Sequence, residues 1–390
     1  SSDTIGWKKT ICSTAVLLQI ACCLLLLPAV SSAQKIAAGG QHSLAVCIDS
    51  TTQSWGYDFY GQLGDDAGLA DKPTPVQVAG LTGIIAISGG WGHSLALKSD
   101  GTVWAWGLDS YGALGNDAVF EQQSKPVAVA GLTGIIAIAS GEAHSLALDN
   151  TGKVWSWGDD KVGQLGDGAA LVKQSMPVRV VDLTGIIAIA AAESHSLALK
   201  KDGTVLSWGY DAGGQLGNDA ILANKPTPVR VAALTGITAI STGWWHSLAL
   251  KNDGTVWAWG HDNYGQLGDN ADLEGKPTPV RVAALKAITA VAAGGGNGFA
   301  LDTAGKVWSW GWDFFGQLGN NRSLANKPMP VQVADLTGVT AIAGGSYHSL
   351  AVKNDGTLWT WGRDNFGQLG NDAILVNKPV PVQVRGGCAR

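Results

Sequence analysis

Basic tracts are missing from this sequence: Lys and Arg number 26 in 390 residues and nowhere gather into a run or stripe. No tract is then present to neutralise a row of phosphates, which argues against nucleic acid as a partner. Charge of either sign is scarce, at 15% against 46% hydrophobic residues. A 3.6-residue apolar period is also absent, so a helical solenoid is excluded. No His/Cys cluster has metal-ligand spacing, and no glycine-rich loop is followed by the lysine of a phosphate-binding loop. Neither a metal nor another cofactor is therefore expected. Of the five cysteines, only Cys47 and Cys388 lie beyond residue 33.

What the sequence does have is a clock. His-Ser-Leu-Ala begins at His42, His93, His144, His195, His246 and His348, at intervals of 51 residues or a multiple; the missing beat reads Asn297-Gly298-Phe299-Ala300. Trp-Gly keeps the same period at Trp55, Trp106, Trp157, Trp208, Trp259, Trp310 and Trp361. Gly-Gln-Leu-Gly follows each Trp-Gly and varies only at Ala113. A fixed period of this size marks a repeat architecture in which each unit buries its apolar face on its neighbours. Seven such units fill residues 34–390.

Residues 1–33 stand outside the array. Lys8-Lys9 precede an almost wholly apolar stretch from Ala15 to Pro28, and Ser31-Ser32-Ala33 supplies small residues where a signal peptidase cuts. The segment reads as a secretory signal, with a retained membrane anchor as the alternative. A secreted, periplasmic or extracellular location follows, with no membrane attachment after cleavage. Removing Asp3, Lys8 and Lys9 with the signal leaves a net charge near −6.

One unit reads as four short strands. In the second, Ile84-Ile85-Ala86-Ile87 leads to a glycine pair, and Ser94-Leu95-Ala96-Leu97 leads to an Asp100-Gly101 hairpin turn. Val103-Trp104-Ala105-Trp106 follows, and Pro126-Val127-Ala128-Val129 closes the unit. Seven such units predict an all-β fold, a seven-bladed β-propeller of four-stranded antiparallel blades. The small-residue strand suits the crowded axis. The strand with proline, which cannot donate to a ladder, suits the outer edge. The paired tryptophans, such as Trp104 with Trp106, share one sheet face and are expected in the core between blades.

These motifs resemble the repeats of the regulator of chromosome condensation family, over the whole of 34–390. The resemblance implies a seven-bladed propeller and points to a secreted, bacterial-type member. The founding member is a guanine-nucleotide exchange factor for a small GTPase. Exchange activity in the family uses an insertion in one blade, which the constant 51-residue interval excludes here. Other members are ubiquitin ligases or secreted binding proteins, and fold alone does not choose among these activities.

Overlaying the repeats sorts their positions. Asp58, Asp109, Asp160, Asp211, Asp262, Asp313 and Asp364 recur identically, which favours a loop-organising hydrogen bond over acid–base work. Each repeated His is followed by Ser, but adjacent strand residues face opposite ways and make no nucleophile–base pair. No catalytic residue emerges and no enzyme activity is expected. A ligand site should instead lie where the units differ. The turn before each His and the loop after each Trp-Gly both vary, and strand direction puts them at one end of the propeller. They collect Tyr57, Phe59, Trp91, Tyr210, Trp244, Trp245, His261, Trp312, Phe314, Tyr347 and Arg363, with Glu142, Glu193 and Asp159 as further polar candidates. Aromatics gathered on one surface point to an interface. Tyr60, Tyr111, Tyr264, Phe315 and Phe366 share a mostly aromatic position and read as blade caps.

The expected function is non-enzymatic binding of a protein by a monomeric propeller. Carbohydrate or cell-wall binding by the same face is the first alternative, and nucleotide exchange the second. Cys47 and Cys388 fall in the first and last units, at the end opposite the aromatic loops, and a disulfide between them would fasten the ring.

Overall fold

The computed structural model describes residues 35–118, 122–169, 171–218, 222–321, 324–371 and 375–388; the expected signal segment, 1–33, lies outside them. Seven four-stranded antiparallel sheets follow one another along the chain, each with its strands in sequence order. This is the seven-bladed propeller the period predicts. In the second blade the strands are Ile84–Gly89, His93–Lys98, Val103–Gly107 and Gln123–Ala128. First strands of successive blades pack on one another around the axis, where alanine and serine side chains permit close approach. The fourth strands, exemplified by Lys72–Gln77 with its two prolines, are the partly exposed outer edges.

The three repeated motifs prove to be parts of a single joint between blades. Each His reaches forward to the Ser 52 residues later: His42 to Ser94, His93 to Ser145, His144 to Ser196 and His195 to Ser247, at 2.9–3.0 Å. Each of these Ser hydroxyls donates to a main-chain carbonyl of the preceding blade's Gly-Gln-Leu-Gly loop, as Ser94 does to Gln62 at 2.9 Å. The next blade's indole N–H donates to the same oxygen, Trp106 to Gln62 at 2.8 Å. Because the acceptor is main chain, Ala113 serves Ser145 and Trp157 as well as a glutamine would. The closing glycine is equally constrained. Gly64 has φ +69°, and a Cβ there would stand 2.7 Å from the Trp106 ring.

Seven tryptophans, one per joint, are fully buried. Each removes roughly 150–250 Å² from water, or up to about 4–6 kcal/mol at about 25 cal/mol per Å². Their strand partners Trp104, Trp155, Trp257, Trp308 and Trp359 are only half-buried, which corrects the expectation that both members of each pair are core. These five pack against the core clusters from their margins as partly buried side chains. Their indole N–H groups find local acceptors, Thr357 for Trp359 at 3.0 Å and Asp302 for Trp308 at 3.1 Å.

The joint also closes the ring. His348 meets Ser43 at 2.8 Å, the Trp55 N–H donates to the Gln368 carbonyl at 2.9 Å, and Ile36, Ala45 and Trp55 pack with Ala341, Leu350 and Val384. Cys47 and Cys388 lie beside this seam, their Cα atoms 5.0 Å apart. The pattern breaks in the sixth blade. Gly298 stands where His246 needs a serine, and Asn297 does not engage Ser349, so the side chains of His246 and Asn297 have no hydrogen-bond partner among the described residues.

Candidate functional site

The two variable loops do share one end of the propeller, and the backbone ties them together in every blade. The residue after Trp-Gly donates its N–H to the carbonyl just before the His: Tyr57 to Gln41, Leu108 to Gly92, Asp159 to Ala143, Tyr210 to Ser194, His261 to Trp245, Trp312 to Gly296 and Arg363 to Tyr347, at 2.8–3.0 Å. A shared backbone frame thus presents seven different pairs of side chains.

The recurring carboxylates support this frame. Asp58 accepts from the Leu63 N–H at 2.9 Å, and the other six repeat the bond five residues on at 2.8–3.0 Å. Desolvation pushes Asp58 and Asp262 up to about 7 and the other five to about 6, against the pull of that backbone bond. The histidines are wholly buried, and desolvation holds five at about 3 and His93 at about 4. The expectation that each His avoids its own Ser holds, but each of five meets a neighbouring blade's Ser. Those hydroxyls are buried and spent on a carbonyl, which makes a joint and leaves no open nucleophile. Among the described residues no group of three His, Cys, Asp or Glu could hold a metal.

On this frame the aromatics form one connected arc across the fifth, sixth, seventh, first and second blades. His261 lies 5.7 Å from Trp245, Trp245 5.7 Å from Trp244, and Trp244 6.1 Å from Trp312 and 5.3 Å from Tyr347. The Arg363 guanidinium sits 5.0 Å over both Phe315 and Tyr347 and 5.6 Å over Phe366. Phe366 then meets Tyr57 at 4.7 Å, and Tyr60 connects Tyr57 to Trp91. Phe59 and Phe314 project outward, 57% and 62% exposed. Trp244 can lie flat here because Gly295 offers no Cβ; one would fall 2.9 Å from its ring.

Of the sequence-nominated residues, only Tyr210 makes no ring contact among the described ones. Four of the five capping residues, read from sequence as separate, belong to the arc, as where Tyr264 stacks on Trp312 at 5.4 Å and Phe315 lies 5.7 Å from it; Tyr111 meets Lys161 instead. The signal was present in the repeats, since the cap position is aromatic except at Val162 and Gly213. Those are the third and fourth blades, where the arc is open. Carboxylates occupy that gap. Desolvation, then Glu142, raises Glu193 to about 7 against an opposing pull from Trp245. Desolvation, then Asp159, raises Glu142. Burial raises Tyr347, Arg363 pulls it back, and Glu193 and Glu142 add to the rise.

A closed ring of seven joints bearing one variable loop face is the class of molecule these features define, an RCC1-like propeller. Residues 121–389 match the RCC1-like domain, and residues 54–97 and 84–113 match the regulator of chromosome condensation (RCC1) repeat; the chain belongs to this family. It is 33% identical over 349 residues to the ultraviolet-B receptor UVR8 of Arabidopsis thaliana, covering 86% of this chain and 78% of that one. It is 32% identical to the human E3 ubiquitin-protein ligase HERC2 over 82% of this chain, yet spans only 7% of that protein's length. Among solved structures, human WBSCR16 superposes with a TM-score of 0.77 at 25% identity, covering 85% of this chain and 94% of that one. Prp20p of Saccharomyces cerevisiae, studied for its binding to Gsp1p and histones, superposes at 0.78 with 23% identity, covering 92% and 87%. These relatives come from a plant, human and yeast and lend no support to a bacterial-type member.

Proposed function

We propose that this propeller binds a protein partner through its aromatic arc and performs no chemistry itself. The observation that carries the reading is the continuity of the arc: Trp91, Tyr57, Arg363, Tyr347, Trp312, Trp244 and Trp245 form one surface of the residue types that dominate interface energetics. The exposed Phe59 and Phe314 extend it outward. Secretion after removal of 1–33, a monomeric state and a Cys47–Cys388 disulfide belong to the same reading. The 5.0 Å Cα separation supports the disulfide.

The test is a cross-linking capture from lysate and cell surface with residues 34–390, beside a variant carrying Trp91, Trp244, Trp245 and Trp312 all replaced by Ala. A protein held by the wild type and lost by the folded variant is the expected result. Equal recovery by both would remove the face from contention. Retention on a polysaccharide matrix alone would favour carbohydrate. Accelerated nucleotide release from a small GTPase would favour exchange.

A further inference from the structure

Arg363 stands in the middle of the aromatic arc without a carboxylate paired to it. Every ion pair among the described residues joins a lysine to an aspartate, so Arg363 takes part in none. Its Nε is buried and has no hydrogen-bond partner among the described residues. Rings surround the guanidinium instead, Phe315 of the sixth blade and Tyr347 of its own at 5.0 Å and Phe366 at 5.6 Å. Ring faces attract the charge but offer no lone pair, so the planar fork of N–H donors keeps its capacity for an anion.

The blade does not require a guanidinium at this place. Other blades carry Tyr57, Leu108, Asp159, Tyr210, His261 and Trp312 there, on the same backbone frame. A charge that the scaffold neither needs nor neutralises points outward, to a ligand. The flanks of Arg363 describe what accompanies the anion. On one side Phe315 meets Phe314 at 4.9 Å; on the other Phe366 meets Tyr57 at 4.7 Å, and Tyr57 stacks with Phe59 at 6.3 Å. This series ends at both sides in a phenylalanine open to solvent, Phe314 and Phe59, with the cation between them.

We infer that Arg363 receives a carboxylate of the partner protein, from an Asp or Glu flanked on both sides by apolar residues that meet Phe59 and Phe314. The inference rests on the partner-binding reading and names the chemistry at its centre. A carboxylate matches the fork with two parallel N–H···O bonds. Rings that keep water from the guanidinium strengthen its attraction for that charge. Lysine in its place would supply the charge without the fork.

The probe is the capped peptide acetyl-Leu-Gly-Glu-Gly-Leu amide, with its glutamine counterpart, titrated into residues 34–390 and followed by ligand-observed NMR and tryptophan fluorescence. The glutamate peptide should bind saturably and about tenfold more tightly than the glutamine peptide. Arg363→Gln should abolish that preference. The other blades show that this position accepts uncharged side chains, and a urea midpoint equal to the wild type's checks that the variant is folded. Arg363→Lys should retain only part of the preference. Phe59→Ala and Phe314→Ala, at exposed positions, should weaken both peptides alike and leave their ratio unchanged. Equal binding of the two peptides, no saturable binding of either, or a preference that survives Arg363→Gln would overturn the proposal. Loss of the peptide preference with partner capture intact counts against the Arg363 site alone. Failed capture with the preference intact counts against the wider binding reading alone.

Discussion

Replacing His195 by Asn should produce a variant less stable than the wild type at neutral pH and more stable below about pH 5. Asn is the residue the sixth blade carries at this place, so the backbone accommodates it. At pH 7 the change removes the 2.9 Å bond from His195 to Ser247 in a fully buried joint, a loss of roughly 1–3 kcal/mol. Burial holds the folded His195 at about 3 against 6.5 for the free side chain. Folding depresses this pKa, so the unfolded chain takes up the proton first. The stability His195 provides is complete above pH 6.5 and drains by roughly 1.4 kcal/mol per pH unit as pH falls toward 3. About one and a half units suffice to cancel a bond of about 2 kcal/mol, which sets the crossing near pH 5. The aspartates raised to about 6–7 act oppositely, favouring the folded state as pH falls through that range, but both proteins carry them and their effect cancels. Urea midpoints followed by tryptophan fluorescence at pH 7.5, 6, 5 and 4.5 provide the test. Curves that stay parallel across that range would refute a neutral, buried His195.

Three further outcomes follow from the joint and its closure. Asn297→His should restore the missing bond to Ser349 and raise stability by about 1 kcal/mol, read as a higher urea midpoint; an unchanged or lower midpoint would show that the sixth blade cannot accept the ring. Gly64→Ala should cost more than Gly131→Ala although both have φ +69°, because a Cβ at 64 meets the Trp106 ring at 2.7 Å while one at 131 meets nothing within 4 Å. The shared left-handed strain is roughly 1–2 kcal/mol and the added overpacking roughly 1–3, so equal thermal midpoints would contradict the close approach. Cys388→Ser should lower stability by roughly 2–5 kcal/mol in the oxidised protein and leave the reduced protein nearly unchanged, and two free thiols titrated in the unfolded, unreduced wild type would dispose of the bond.

Much of this fold was legible because a repeat overlays its own evidence. Proline marked the outer strand through a donor it lacks, and alanine marked the inner strand through the volume it spares. Identical aspartates were recognisable as scaffold, and all seven do make the same loop bond. The tryptophan pairs were misjudged because period-two alternation reports which face a residue takes and says nothing of its depth. Trp104 and Trp106 share a face, yet only Trp106 lies deep in the wedge between blades. The His–Ser contacts were missed for a related reason. His195 and Ser247 belong to different blades, and nothing local indicates which blade packs on which, or at what height.

The sequence by itself therefore determined the number of blades, their strand order, and the end at which the variable loops emerge, since these depend on periodicity, strand direction and the local demands of glycine and proline. Only the tertiary structure decided what those loops build together. Trp244 and Tyr347 lie more than a hundred positions apart in the chain yet 5.3 Å apart in space. The Glu142 N–H in the third blade donates to the Ala192 carbonyl of the fourth at 3.0 Å. Closing a ring brings its first and seventh units together, as His348 and Ser43 show, and that proximity is a property of the circle, which no single repeat contains.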